Sequence, residues 1–290
     1  NGIAFNPTAD PGNLHGAEYV KVMAAFFNKE SEANTIFNTK MNAYSSYNAA
    51  TTTAPRTVVA WISYEPAESW NSGASYVLSR SNYKLQMVTD AGYANVDLAA
   101  MRAALPLLVL DAAISSSHKW VLKVSDYASQ QAAAEAFLGA LSNVGAVIDE
   151  FYAPTPADFN INSFYTNYHL SSSSTHAFMQ KVLRIDGTIS VDNNLDWYES
   201  RIANPDWALE GLRRSLSGDA SLRRKYFRNI ALNEAPEVLS ADMCAVEMPT
   251  CGNYLPALIL RDGLAETSAA RAPGCVVALA LSLLALGLRV

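Results

Sequence analysis

The run TVVAWIS at residues 57–63, followed at once by Tyr64, Glu65 and Pro66, decides the class of the fold. Its β-branched and aromatic side chains suit a buried strand rather than one alternating between core and water. Working outward, three further segments read as strands: KLQMVT at 84–89, KWVLKV at 119–124 and AVID at 146–149. Helical stretches are expected between them, over about 73–79, 98–116 and 129–141. Strands alternating with helices at roughly 30-residue spacing predict an α/β lobe, a mostly parallel four-strand sheet with helices on both faces.

Upstream, residues 16–47 contain no proline and no glycine after Gly16. Val20, Met23, Ala24 and Phe27 recur at i, i+3, i+4 and i+7, and Ile36, Phe37, Met41 and Tyr44 continue the stripe. One helix over 16–48 is therefore expected, on the order of 45 Å long. Ala49 to Ala54 then makes a small-residue connector ending at Pro55. Downstream of Phe151 the composition shifts to Pro, Asn, Tyr and Ser. Asp186-Gly187 reads as a turn, and 194–217 as two helices parted at Pro205.

Of the 290 residues 50% are hydrophobic and only 17% charged, so the chain can bury a core and is not compositionally disordered. The net charge is −6, and the basic runs are short, at Arg213-Arg214 and Arg223-Arg224-Lys225. That excludes the clustered positive footprint a nucleic-acid partner needs. The chain opens on Asn1, with no basic segment leading into an apolar one, so no secretory signal is visible.

The other end carries VVALALSLLALGL at 276–288, uncharged and short of the roughly 20 residues of a spanning helix. Small residues precede it (Ser268, Ala269 and Ala270, or Gly263 and Ala265), with Arg271 and Pro273 in a spacer. That pattern at 263–290 predicts a GPI-anchor signal, hence a membrane attachment through a C-terminal lipid at the cell surface, or a secreted protein; a C-terminal core helix is the alternative. Of three cysteines, Cys275 falls in this tail, which leaves Cys244 and Cys251 to close a small disulfide loop in an oxidising compartment.

Loops after parallel strands are where α/β sheets bind ligands. Three such places are expected to meet on one edge: Tyr64 and Glu65 leading to Trp70; Asp90 and Tyr93; and Asp149, Glu150 and Tyr152. Rings there would wall a small-molecule site and the acids would orient its occupant. Trp197 could face a flat ligand or pack its helix on the sheet. Asp149 and Glu150, adjacent on a strand, should point to opposite faces and cannot form a dyad by themselves; a hydrolytic pair would have to be Glu65 with Asp149. His15, His118, His169 and His176 form no HExxH or HxH pattern, though His169 and His176 share a Ser-rich loop. No GxSxG, Walker or GxGxxG motif occurs, so neither a nucleophile nor a nucleotide cofactor is expected.

These features together resemble the helical-backbone, class III periplasmic-binding-protein fold, the group of the metal-, siderophore- and cobalamin-binding proteins of ABC importers. GAEYVKVMAAFFNKESEANTIF at 16–37 looks like the start of the backbone helix, VVAWISYEP at 58–66 like the first strand and pocket loop of the second lobe, and VIDEFY at 147–152 like a later strand end. DGTISVDNNLDWYESRIANPDWAL at 186–209 is similar to a variant in eukaryotic, algal or plant-like relatives, some resembling cobalamin-acquisition proteins. The resemblance covers about Gly16 to Cys251. It implies an organisation of an N-terminal remnant at 1–15 with the first lobe preceding it, a linker helix at 16–48, and a ligand-binding C-terminal lobe of a bilobal protein at 55–260. It also implies a cell-surface solute-binding protein that hands a corrinoid, tetrapyrrole or chelated-metal ligand to a transporter. A hydrolase using Glu65 and Asp149, or a ligand-free adhesion or structural surface protein, are the competing expectations.

Overall fold

A computed structural model describes residues 6, 12–49, 56–68, 73–111 and 118–239. Trp70, Cys244, Cys251, Cys275 and the tail at 263–290 lie outside the described residues.

The expected single helix is two: α1 (His15–Ala25) and α2 (Glu30–Tyr47). The stripe is continuous, but the backbone turns between them at Asn28, whose φ of 55° is left-handed. Asparagine tolerates that conformation better than other non-glycine residues. The amide of Lys29 reaches back to the carbonyl of Ala24, closing the end of α1. The two helices pack on each other, and everything up to Val238 belongs to one compact unit.

Next come β1 (Val58–Glu65), β2 (Ser75–Ser79), α3 (Asn82–Asp90), β3 (Ala94–Asn95), α4 (Leu98–Ala104), β4 (Val109–Leu110) and β5 (Lys119–Lys123). Beyond them lie α5 (Gln130–Gly139), β6 (Val144–Asp149), α6 (Ile161–Tyr168), β7 (Val182–Arg184), β8 (Thr188–Ser190), α7 (Asp196–Glu199), α8 (Pro205–Ser217), β9 (Arg228–Asn229) and β10 (Glu237–Leu239). The main sheet has eight strands in the order β4-β5-β2-β1-β6-β7-β9, with β3 also pairing to β1; β8 and β10 form a separate ribbon.

The sheet is mixed rather than a four-strand, mostly parallel one. Parallel pairing is confined to β1 with β3 and β6, and β6 with β7, while β2, β5, β4 and β9 join antiparallel. Two segments are exchanged relative to expectation. Residues 75–79, expected helical, are β2, buried at every position. Residues 84–89, expected as a strand, lie in α3. KLQMVT alternates apolar and polar because Lys84 stands on the core-facing side of α3 with Met87 and Val88, the i, i+3, i+4 face of a helix. A buried lysine disguised the period. The helix expected over 98–116 is confined to α4, whose start is capped by Asp97 accepting from the amides of Ala99 and Ala100.

Helices cover both faces. One layer packs α4, α5 and α6 on Ala60, Ile62, Tyr76, Leu78 and Val147. The other packs Tyr44 of α2, Met87 and Val88 of α3 and Leu209, Leu212 and Leu216 of α8 on Val59, Trp61, Ala146 and Ile148. Helix α8 begins as expected, with Pro205 and Asp206 in its first turn, and ends at Gly218 in the left-handed region. It lies so close to the backbone at Lys225 that a β-carbon on Gly211 would sit 2.2 Å from that carbonyl oxygen.

Candidate ligand-binding site

β1 and β6 run side by side and parallel, with Ile62 opposite Asp149 at the end of β6 and β1 continuing to Glu65. This carboxyl edge holds most of the expected site residues, but on two different faces. Strand alternation sends Asp149 into one layer and Glu150 into the other, as the sequence required.

Asp149 is wholly buried and closes an ionic network. Arg184 donates from Nη1 to Asp149 (2.7 Å) and from Nε to Asp186 (2.7 Å), and Arg228 donates from Nε to Asp186 (2.6 Å). Arg228 Nη2 also donates to the carbonyls of Pro156 and Phe159, Arg184 Nη2 to that of Phe151, and Tyr168 to Asp149. Burial pushes the Asp149 carboxyl up to about 6, against the pull of Arg184 and of hydrogen bonds from Phe151 and Tyr168. Two guanidinium groups face two carboxylates here with every charge matched, which is how buried ions are tolerated. Asp149 thus tethers the strand ends from inside and reaches no solvent. Glu65 belongs to the face of Trp61 by alternation and binds Lys119 (2.6 Å). The two acids of the hydrolytic alternative stand on opposite sides of the sheet.

Tyr64 is half-buried among rings, stacked on Phe151 at 6.4 Å and tilted on Tyr76 at 5.3 Å, and Tyr76 in turn packs on Tyr168. Tyr152, 75% exposed, stands free at the same edge. Asp90 and Tyr93 do not join them. Asp90 ends α3 and Tyr93 follows it, next to β3, which pairs with Val58 and Val59 at the amino end of β1. There Asp90 accepts a 2.5 Å hydrogen bond from Tyr44, and Asn13 donates to the same phenol, tying α2 to α3. Burial, then this bond to Asp90, pushes the Tyr44 phenol well up. Tyr93 packs half-buried against the α2–α3–α8 layer. The sequence reading placed both residues at the carboxyl edge because it took α3 for a strand.

Trp197 is fully buried, its ring centroid 5.9 Å from that of Trp61 and 5.2 Å from that of Phe227. In the structure it packs its helix on the sheet.

The face opposite Asp149 holds residues that the sequence reading passed over. Glu150 binds Lys84 (2.6 Å), and Lys84 also donates to Ser79 Oγ (2.7 Å). The ammonium lies 5.3 Å from the ring centroid of Trp61 and 5.7 Å from that of Tyr83. Burial works to lower the Lys84 pKa, but the charge and hydrogen bond of Glu150 outweigh it and hold the group above its ordinary value. On the other contact of Tyr83 sits Arg201, its guanidinium carbon 4.3 Å from that ring and 4.9 Å from Trp197. Tyr198 lies within electrostatic reach of Glu150, Tyr83 and Arg201.

Arg201 differs from every other arginine of this edge. Burial pushes its pKa down, with Tyr83, Tyr226, Tyr198 and Glu150 opposing. Its Nε is buried without a hydrogen-bond partner among the described residues. The turn that carries it is held firmly: Asn204 bonds back to the carbonyls of Ser200 and Arg201, Lys40 donates to Asn204 (2.8 Å), and Ser200 shares a 2.6 Å hydrogen bond with Tyr226. The only legible signal was Lys84 itself, a charged residue on an apolar helix face that would need a buried partner.

Among the described residues no group of three or more His, Cys, Asp or Glu could hold a metal. His176 stacks on Phe178, and burial lowers its pKa. His169 ends α6 in the left-handed region and lines a shallow 520 Å³ cleft with Gln131, Asn162, Tyr165, Thr166 and Leu170. No helix among the described residues is long and apolar enough to cross a membrane.

No protein-family profile and no curated protein matches the chain. Among solved structures it is similar to an ABC transporter substrate-binding protein from Listeria monocytogenes EGD-e. The identity is 13% and the TM-score 0.40, over 71% of this chain and 64% of that one. A likeness at that level decides neither the fold nor the activity of this chain.

Proposed function

We propose that this chain is a solute-binding protein whose ligand sits at the carboxyl edge of β1 and β6, on the face of Glu150. The observation that carries this reading is the Tyr83–Arg201–Trp197 arrangement beside the Lys84–Glu150 pair. It is a preformed cluster of rings and a cation with free hydrogen-bonding capacity, at the sheet edge where open α/β folds bind ligands. Tyr152, Tyr198 and Glu65 border the same edge. Among the described residues at this edge none is organised as a nucleophile with its base, which favours holding over transformation.

In this reading a membrane transporter receives the ligand, for which a corrinoid, another tetrapyrrole or a chelated metal suits the ring-rich edge. Residues amino-terminal to α1 would supply the facing wall. The apolar tail would keep the protein at the outer cell surface through a lipid anchor, with Cys244 and Cys251 joined as a disulfide. The test is a binding screen on the full chain with cobalamin, haem and ferric siderophores, read by tryptophan emission and thermal shift. Emission and melting unchanged by all three would sink these ligand classes.

A further inference from the structure

We propose that Arg201 is the receptor for a carboxylate carried by the ligand, a deepening of the solute-binding reading on which it rests. An arginine side chain has five N–H donors in a planar fork and no acceptor. Arg201 directs none of them to a protein acceptor among the described residues, and its Nε is sealed from water. The neighbouring cations are all committed: Lys84 to Glu150, Lys225 to Asp196, and Arg184 and Arg228 to Asp149 and Asp186. Arg201 is therefore the cation of this cluster without a carboxylate partner among the described residues.

A desolvated donor without an acceptor destabilises the fold. The ring contacts at 4.3 and 4.9 Å orient the guanidinium plane without occupying its hydrogen-bonding rim. The anchored turn from Ser200 to Asn204 keeps the group in place before any ligand arrives, so little ordering is left for binding to supply.

A planar two-oxygen anion matches that rim, because a guanidinium pairs with a carboxylate through two parallel N–H···O bonds. Charge selects among anions. A phosphate monoester carries about −1.5 to −2 at neutral pH, more than the single unmatched cation balances, whereas a carboxylate balances it. Tyr83 and Tyr198 stand close enough to contribute phenolic hydroxyls and ring faces to whatever the carboxylate is attached to.

The probe is sodium benzoate, with benzamide as its uncharged isostere, titrated into the millimolar range against the full chain. NMR of the arginine Nε–H signals and tryptophan emission report binding. The expected result is that benzoate moves one Nε–H signal, absent from Arg201→Met, and that this variant binds benzoate about ten-fold or more weakly. Arg201→Lys, which keeps the charge but not the fork, should recover only part of the affinity. Arg201→Met should melt at or above the wild-type temperature, since it removes an unsatisfied buried donor. Benzoate binding equally well to wild type and Arg201→Met would overturn the carboxylate assignment. So would a marked fall in melting temperature of that variant with benzoate binding retained, because Arg201 would then be structural. In either case the solute-binding reading survives if cobalamin, haem or a siderophore still binds. If benzoate and all three fail to bind, both readings fall.

Discussion

Replacing Glu150 by glutamine should cost about 3 kcal/mol of stability at neutral pH, and the cost should shrink as the pH rises. The partners are nearly dry, with 9% of the Lys84 side chain and 13% of the Glu150 side chain exposed. At 2.6 Å the gross attraction at an effective dielectric of 20 is about 6 kcal/mol. Most of that offsets desolvation, and breaking such a pair typically loses about 3–5 kcal/mol. Ser79 still accepts from the ammonium, which places the loss at the lower end. In the wild-type protein the Lys84 pKa is raised, so its stabilisation is complete below about 10.5 and is lost only as the pH climbs through the higher folded value. Without Glu150 burial dominates, and the folded pKa drops below that of the unfolded chain. The penalty is then full at neutral pH and fades as the pH rises toward about 10. Urea unfolding followed by tryptophan emission at about pH 7 and about pH 9.5 measures both arms. The double variant Lys84→Met with Glu150→Leu should regain most of the loss, since no lone ion is left behind. A loss under about 1 kcal/mol, the range of exposed pairs, or a gap that does not narrow with pH, would refute the reasoning.

Asp186→Asn should be costlier, about 3–5 kcal/mol, because buried Arg228 would lose its carboxylate partner and Arg184 would keep only Asp149; for a domain of this size that lowers the melting temperature by about 6–20 °C, and scanning calorimetry checks it. Gly211→Ala pushes a methyl into the Lys225 carbonyl and should lose about 1–3 kcal/mol in chemical denaturation, whereas the same change at Gly139, where nothing lies within 4 Å, should not. Asn28→Val should lose about 1–2 kcal/mol through left-handed strain at the α1–α2 turn, and Asn28→Gly should melt at or above wild type.

The failures of the sequence reading share a cause with the candidate site. α3 looked like a strand because Lys84 occupies a core position that only Glu150, across the fold, makes tolerable. Misplacing α3 carried Asp90 and Tyr93 to the wrong end of β1. The α1–α2 break was hidden because a continuous apolar stripe says nothing about one left-handed asparagine. Arg201 lies unremarked within the stretch at 186–209, because what sets it apart is a missing partner, which no local pattern encodes. Lys84 and Arg201 share the Tyr83 ring, so the two residues that local pattern reads worst lie together in the fold.

Sequence alone was enough to determine that this chain builds an α/β layer structure, with strands at about 57–63, 119–124 and 146–149, helices on both faces and the split at Pro205. Those features follow from hydrophobic periodicity and backbone chemistry, which act over a few residues. Alternation also required Asp149 and Glu150 to part across the sheet. Tertiary structure decided the rest: the antiparallel flank of the sheet, the role of Asp149 as a buried tether, and the pairing of every cation at the edge except Arg201. Strand order and charge matching are set by contacts between residues distant in the chain, where desolvation makes one missing partner worth several kilocalories, and no stretch of sequence carries that sum by itself.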